Sequence, residues 1–423
     1  MLCASSIRER KTESEVEFAK KRGWIEDQIS PSPDVVSQID EEDLIYNEDV
    51  IEVIDPETLN DEEAMKADPE KGDASYVFTG HNFGSVFCGS LSKAGKFAIT
   101  GGEEDKAYVW DTTSGEIILN CTGHKDSVIF AEFNFDETYL ATGDMSGVIQ
   151  LWKLNDKSSI WNYNMGDATW MKWHMAANVL IAGSVNGEVF MWKLPDGDCK
   201  VLQGYGYGTE AGVILPDGKR LAVGYEDGTI RVFDLKTNTM LSCIPSNIGH
   251  TATIIALDCY LDNNLILSAA IDGKTILSMS HTGKIISILQ DLNSEQENDI
   301  KYSDSNLIET VAFCKDPGFQ VAATGSLNGK IFIWDISKQV LRHKIEQESG
   351  ISKILWKGTT SLLFSGGLDG IVRCFDARSG QCLQQLTGHS EDILDLQIAE
   401  EGQIILTTSD DSTARIFNIA NLF

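Results

Sequence analysis

The chain has 423 residues and carries 34 Lys and Arg against 64 Asp and Glu, a formal net charge of −30. A surplus of that size opposes non-specific binding of nucleic acid, whose phosphates must be met by cations. No run of eighteen apolar residues occurs, and residues 1–7 pass straight into Arg8, Glu9, Arg10 and Lys11, which leaves no apolar core for a signal peptide.

These features lead us to expect a soluble, cytoplasmic protein without membrane insertion and without direct nucleic-acid contact. The nine cysteines are odd in number and widely spread, with no two separated by just two residues. They read as reduced thiols serving mainly in packing.

The acidic charge is densest near the start. Between Arg22 and Lys66 stand fifteen carboxylates and no Lys or Arg, including Asp40, Glu41, Glu42 and Asp43 and the run Asp61, Glu62, Glu63. Residues 1–75 hold 22 acids and 8 bases, a net of −14, leaving −16 for the remainder. Such a segment repels itself and buries little surface. Within it, Val50, Ile51, Val53 and Ile54 interleave with Glu48, Asp49, Glu52 and Asp55. That pattern reads either as an acidic linker or as a short strand that docks on another surface.

From Tyr76 onward, short β-branched and aromatic runs alternate with turn signals, the mark of an all-β repeat architecture. Six dipeptides, from Ser146-Gly147 to Asp369-Gly370, place a glycine five residues before Trp152, Trp192, Phe233, Ser278, Trp334 and Phe375. The end copies differ, with Glu104-Asp105 before Trp110 and Asp411-Ser412 before Phe417. Asn-Gly and Asp-Gly predict a type I′ hairpin in each copy. The eight anchors are spaced by 42, 40, 41, 45, 56, 41 and 42 residues, the period of a four-stranded blade. The long step predicts a polar loop from Asp291 to Asn306 between the fifth and sixth copies.

Gly-His recurs at residues 80–81, 123–124, 249–250 and 388–389, and Trp110-Asp111 and Trp334-Asp335 supply a closing dipeptide. With these markers the chain resembles the WD-repeat family across residues 76–423. The resemblance implies a β-propeller in which the Gly-His histidines make hydrogen bonds inside their blades. Tyr76–Thr79 precedes the first Gly-His without a blade of its own, while the eighth copy ends without its outer strand. The two complete each other, which protects the ring from an open edge. The expected organisation is an acidic, largely disordered tail over 1–74 and an eight-bladed propeller over 75–423, closed by the strand around 75–79 and monomeric.

No glycine-rich phosphate loop ending in Lys and Ser or Thr occurs, and no histidine pairs with another His or Cys at a zinc-ligand spacing. Gly204, Gly206 and Gly208 alternate with Tyr205 and Tyr207 between two strand blocks, without the helix that a dinucleotide site requires. The residues point away from an enzyme, and no cofactor is expected.

Carboxylates gather instead in the turns and in the loops that follow each Gly-His. Asp227, Asp272 and Asp369 are accounted for by the backbone preference of Asp-Gly turns. Asp126, Asp144, Asp167, Glu226, Asp392 and Asp410, with Glu104, are less well explained and are candidate contacts for a basic partner. Trp170, Phe87 and Tyr225 are candidate aromatic anchors among them, Trp170 having an alternative place in blade packing.

Strings such as Thr100-Gly-Gly-Glu-Glu-Asp-Lys-Ala-Tyr-Val-Trp110, Gly123-His-Lys-Asp-Ser127, Ala141-Thr-Gly-Asp-Met-Ser-Gly147, Leu215-Pro-Asp-Gly-Lys-Arg220 and Val223-Gly-Tyr-Glu-Asp-Gly-Thr-Ile-Arg231 resemble a narrower group of WD-repeat proteins. Its fungal members are dedicated chaperones of a newly made, basic ribosomal protein of the large subunit. Its animal members are associated with cell migration. The resemblance implies an escort of a basic ribosomal protein, or alternatively a signalling or cytoskeletal scaffold. The acidic charge of the chain fits the first, since carboxylates compete with RNA for the same cations.

Overall fold

The computed structural model describes residues 71–291, 307–401 and 403–422. The interleaved segment 46–55 and nearly all of the long loop before the sixth copy lie outside the described residues. Within them, 32 strands form eight four-stranded antiparallel sheets. The chain is an eight-bladed β-propeller.

Seven blades take four consecutive strands each, and the eighth joins β1 (Tyr76–Phe78), β32 (Ala414–Asn418), β31 (Ile404–Ser409) and β30 (Ile393–Ile398) in that order. The inner strands are β2 (Val86–Leu91), β6 (Val128–Phe133), β10 (Ala168–Trp173), β14 (Thr209–Ile214), β18 (Ile254–Cys259), β22 (Ile308–Phe313), β26 (Ile351–Trp356) and β30 (Ile393–Ile398). Each contacts the inner strand of the next blade, and β30 contacts β2, so the ring closes around a hub.

Closure uses both ends of the chain. Strand β1 (Tyr76–Phe78) lies antiparallel to β32 (Ala414–Asn418), with Tyr76 opposite Ile416 and Phe78 opposite Ala414. Contacts begin earlier than residue 75: the Asp73 N–H donates to the Thr387 carbonyl at 2.9 Å, its carboxylate accepts from the Thr387 N–H and hydroxyl, and Ala74 is buried. The residues just before β1 are therefore already fixed to blade 8.

The middle strands explain why these sequences read as apolar runs. Strands such as β11 (Val179–Ser184) and β23 (Val321–Ser326) are buried along nearly their whole length, because each sheet is covered on both faces by its neighbours. All eight anchors are buried. Each pairs with the second residue of its blade's second strand, from Ala98 opposite Trp110 to Ile405 opposite Phe417. Constant register follows from the constant five-residue step between turn and anchor.

The turn chemistry differs from the type I′ expectation. Gly147, Gly187, Gly228, Gly273, Gly329 and Gly370 have φ between +70° and +84°, whereas the residue before each does not have positive φ. Each glycine donates its N–H to the carbonyl three residues earlier, for example Gly147 to Asp144 at 3.1 Å. This is an ordinary turn closed by one left-handed residue. In the two end copies that position is held by Asp105 at φ +60° and Ser412 at φ +62°.

Candidate protein-binding face

One backbone hydrogen bond recurs in every blade. The residue after the second strand donates its N–H to the carbonyl of the residue just before the inner strand, at 2.9–3.1 Å: Glu103 to Ser85, Met145 to Ser127, Val185 to Asp167, Glu226 to Gly208, Ile271 to Thr253, Leu327 to Leu307, Leu368 to Gly350 and Asp410 to Asp392. Corresponding positions of neighbouring inner strands also meet, as where Trp173 Nε1 donates to the Glu132 carbonyl and Trp356 Nε1 to that of Ala312, both at 3.0 Å. The inner strands thus run in one direction, and all eight ties lie on one face of the disc.

Asp167, Glu226, Asp392 and Asp410 are members of these ties, and Asp126 stands one residue before another. Five of the candidate carboxylates are thereby gathered on one face. Asp167 and Glu226 are exposed, and Asp126, Asp392 and Asp410 are half-buried. The inner strands add a second device: every one carries a register shift between its first and third residues, which inserts an extra residue at this end. In blade 4 that residue is Glu210.

Asp144 and Glu104 are placed differently. Asp144 is fully buried and accepts from His124 Nδ1 at 3.2 Å, from the N–H groups of Lys125 and Val148, and from the Ser146 hydroxyl. Nε2 of the same His124 ring bonds Thr142 Oγ1 at 2.8 Å, and Trp152 Nε1 donates to that oxygen at 2.9 Å. Blade 1 repeats the chain through Glu104, His81, Thr100 and Trp110. Because an ionised carboxylate only accepts, Nδ1 carries the proton. Burial works against the charge of Asp144, but the bonds from His124 and Lys125 outweigh it and its pKa is lowered. Both carboxylates are buried and bound to the histidine of their own blade.

The histidines of blades 5 and 8 are also bound within their blades: His250 by Asp272 and Ser268, and His389 by Asp411 and Thr407. Asp272, read as a turn residue, therefore has a second role.

The three aromatic candidates are buried. Phe87 is 4% exposed and packs in the hub with Ile129 and Leu394. Trp170 is 5% exposed, its ring lying against Gly183 and Gly212 so closely that a Cβ at either would collide with it. It takes the packing role. Tyr225 is 1% exposed and meets Tyr205 edge-on, the Arg231 guanidinium lying 4.4 and 4.2 Å from the two ring centroids. The aromatic side chains that this face does present are Phe83 (63% exposed), Tyr205 (46%) and Tyr207 (49%). Phe83 was missed; its signal was an aromatic residue in the loop after a Gly-His, two residues past His81, where Asp126 stands two past His124.

At the hub, five inner strands line an open cavity of about 510 Å³. Two of its lysines are paired: Lys172 reaches Glu132 at 2.5 Å, and Lys353 pairs with Asp395. Burial raises Asp258 to about 6, opposed by N–H groups of Phe313 and Cys259 that donate to it. Among the described residues no cluster of three His, Cys, Asp or Glu could hold a metal ion. None of their helices is long and apolar enough to cross a membrane.

Comparison with known proteins places this geometry. A model of the WD domain, G-beta repeat, matches residues 72–111, 115–153, 211–234 and 380–418. The angio-associated migratory cell protein of Canis lupus familiaris is 38% identical over 92% of this chain and 90% of its own. The chain belongs to the angio-associated migratory cell protein family. The ribosome assembly protein SQT1 of Saccharomyces cerevisiae is 24% identical over 87% of the chain and 91% of its own. The fold is shared with Chaetomium thermophilum Sqt1 in its crystal structure bound to the N-terminus of ribosomal protein L10. That match has a TM-score of 0.71 at 22% identity, over 82% of this family member and all of the other chain.

Proposed function

We propose that this protein is a non-enzymatic binding propeller. In our reading its acidic face holds the basic segment of a newly made large-subunit ribosomal protein in the cytoplasm until assembly. The observation that carries the proposal is the gathering of Asp126, Asp167, Glu226, Asp392 and Asp410 on the face defined by the eight backbone ties. A ring of like charge on a low-dielectric disc focuses potential, speeds capture of a cationic segment and shields it from RNA. Phe83 and Tyr207 supply flat surfaces on which Arg side chains stack. The Sqt1 structure with the L10 N-terminus supports the choice of client class.

The test is affinity purification from translating cells with elution by rising salt. The proposal expects one basic large-subunit ribosomal protein, eluting steeply with salt and without the rest of the ribosome. Loss of that protein from the joint variant Asp126→Lys, Asp167→Lys and Glu226→Lys would tie binding to this face.

A second reading, a signalling or cytoskeletal scaffold, is favoured by the name of the 38% identical relative. It expects a spread of partners that salt does not remove, retained by the charge-reversed variant.

A further inference from the structure

The opposite face of the disc carries a groove of the contrary charge. It lies between blades 3 and 4, at the end where inner strands turn back into second strands and third strands into outer ones, and has a volume of about 510 Å³. Its two walls are held at a fixed spacing where His174 Nε2 meets the Gly218 carbonyl at 2.8 Å. Val179, Met191 and Leu235 make the lining apolar. Lys193 and Lys200 rise from blade 3, and Lys219 and Lys236 from blade 4, all four exposed.

Lys193 bonds Asp196 at 2.8 Å, but Lys200, Lys219 and Lys236 have no ion pair among the described residues. Two carboxylates line the groove. Asp234 is turned inward, accepting from the N–H groups of Lys236 and Thr237 and from the Thr237 hydroxyl, and Asp198 is exposed. With Lys193 neutralised by Asp196, three lysines stand against two carboxylates, which leaves a small positive patch on a chain whose net charge is −30.

We propose that this groove is a second docking site, for an extended acidic segment of a partner protein in which carboxylates alternate with aliphatic side chains. In an extended strand alternate side chains point to opposite sides, so one set fills the apolar lining while the other meets lysines on the two rims. A nucleic-acid backbone fits worse, because its phosphates would leave the apolar lining uncovered and face Asp198 within an overall negative field. The site is independent of the acidic face, and a propeller could hold a basic client on one side and an acidic partner on the other.

The test uses the full chain and a fluorescein-labelled peptide of about twelve residues, alternating Glu with Val or Leu, read by fluorescence anisotropy. The wild type should bind it, and the joint variant Lys200→Glu, Lys219→Glu should weaken binding about tenfold or more with an unchanged melting temperature. Replacing the aliphatic residues of the peptide by Ser should weaken binding comparably. Binding of an Arg-rich peptide to the acidic face should not change in the variant, which separates failure of this proposal from failure of the client reading. The proposal is overturned if the wild type does not bind the acidic peptide or the variant binds it equally well. It is overturned too if the Ser-substituted peptide binds as tightly, or if an oligouridylate of similar length competes at equal affinity.

Discussion

The Phe78 ring lies flat on the Trp110 indole, centroids 4.4 Å apart and planes 3° from parallel. Phe78 belongs to the strand that completes blade 8, and Trp110 anchors blade 1. One contact therefore joins the first described strand, the last blade and the first blade. Phe78 also touches His81 edge-on at 5.9 Å, so the closing strand backs the hydrogen-bonded chain of blade 1.

Removing that ring should cost about 3–5 kcal/mol, the usual range for a buried Phe→Ala change. Phe78→Ala should accordingly show a much lower urea midpoint than wild type. Deleting residues 1–80 should lower the melting temperature far more than deleting 1–70, because only the longer deletion removes β1. Equal midpoints for the two truncations would mean that β1 contributes little to closure.

Acid should unfold the protein in two stages through blade 8. Burial lowers the His389 pKa, so its contribution is fully present above the unfolded value of about 6.5 and is lost as pH falls toward the folded one. Burial opposes the charge of Asp411, but His389, the Thr413 hydroxyl and the Ser390 N–H together outweigh it and hold the carboxyl at about 2. Its stabilisation, about 2 kcal/mol, is present above the unfolded value near 3.9 and disappears as pH falls through about 2. Melting temperature measured against pH should fall below about 6.5 and again below about 4, and Asp411→Asn should flatten the second decline.

Ser412 occupies the left-handed position that glycine fills in six other blades. Ser412→Gly relieves backbone strain but adds unfolded-state entropy; the first is larger, for a net gain of about 0.5–1 kcal/mol. A small rise in melting temperature checks this, and a fall would show that the Ser412 side chain contributes more than the strain costs.

The candidate carboxylates should separate into two groups. Asp144→Ala leaves the polar groups around it without their acceptor and should cost about 3 kcal/mol of stability. Asp167→Lys and Glu226→Lys, on exposed positions, should leave the stability within about 0.5 kcal/mol of wild type while weakening capture of a basic peptide. Thermal denaturation and anisotropy on the same preparations distinguish the two behaviours.

The repeat, the blade number and the anchors were legible in the sequence because they rest on local rules. A glycine or its substitute closes a turn, and five residues later a large side chain enters the space between sheets. The four Gly-His positions were legible through the family pattern. Which carboxylate serves each histidine was not. In blade 2 it is Asp144, two residues after Thr142, whereas in blade 8 it is Asp411, four after Thr407, and the adjacent Asp410 makes the backbone tie instead. Two residues along a turn exchange an inward for an outward carboxylate, and that choice depends on where a distant histidine lies. For the same reason Phe87 and Tyr225, read as candidate surface anchors, are buried, and Trp170, read as either an anchor or blade packing, takes the second role. The sequence alone determined that eight similar sheets would form and close. The tertiary structure decided which of their charges face outward, because that depends on packing between residues many positions apart.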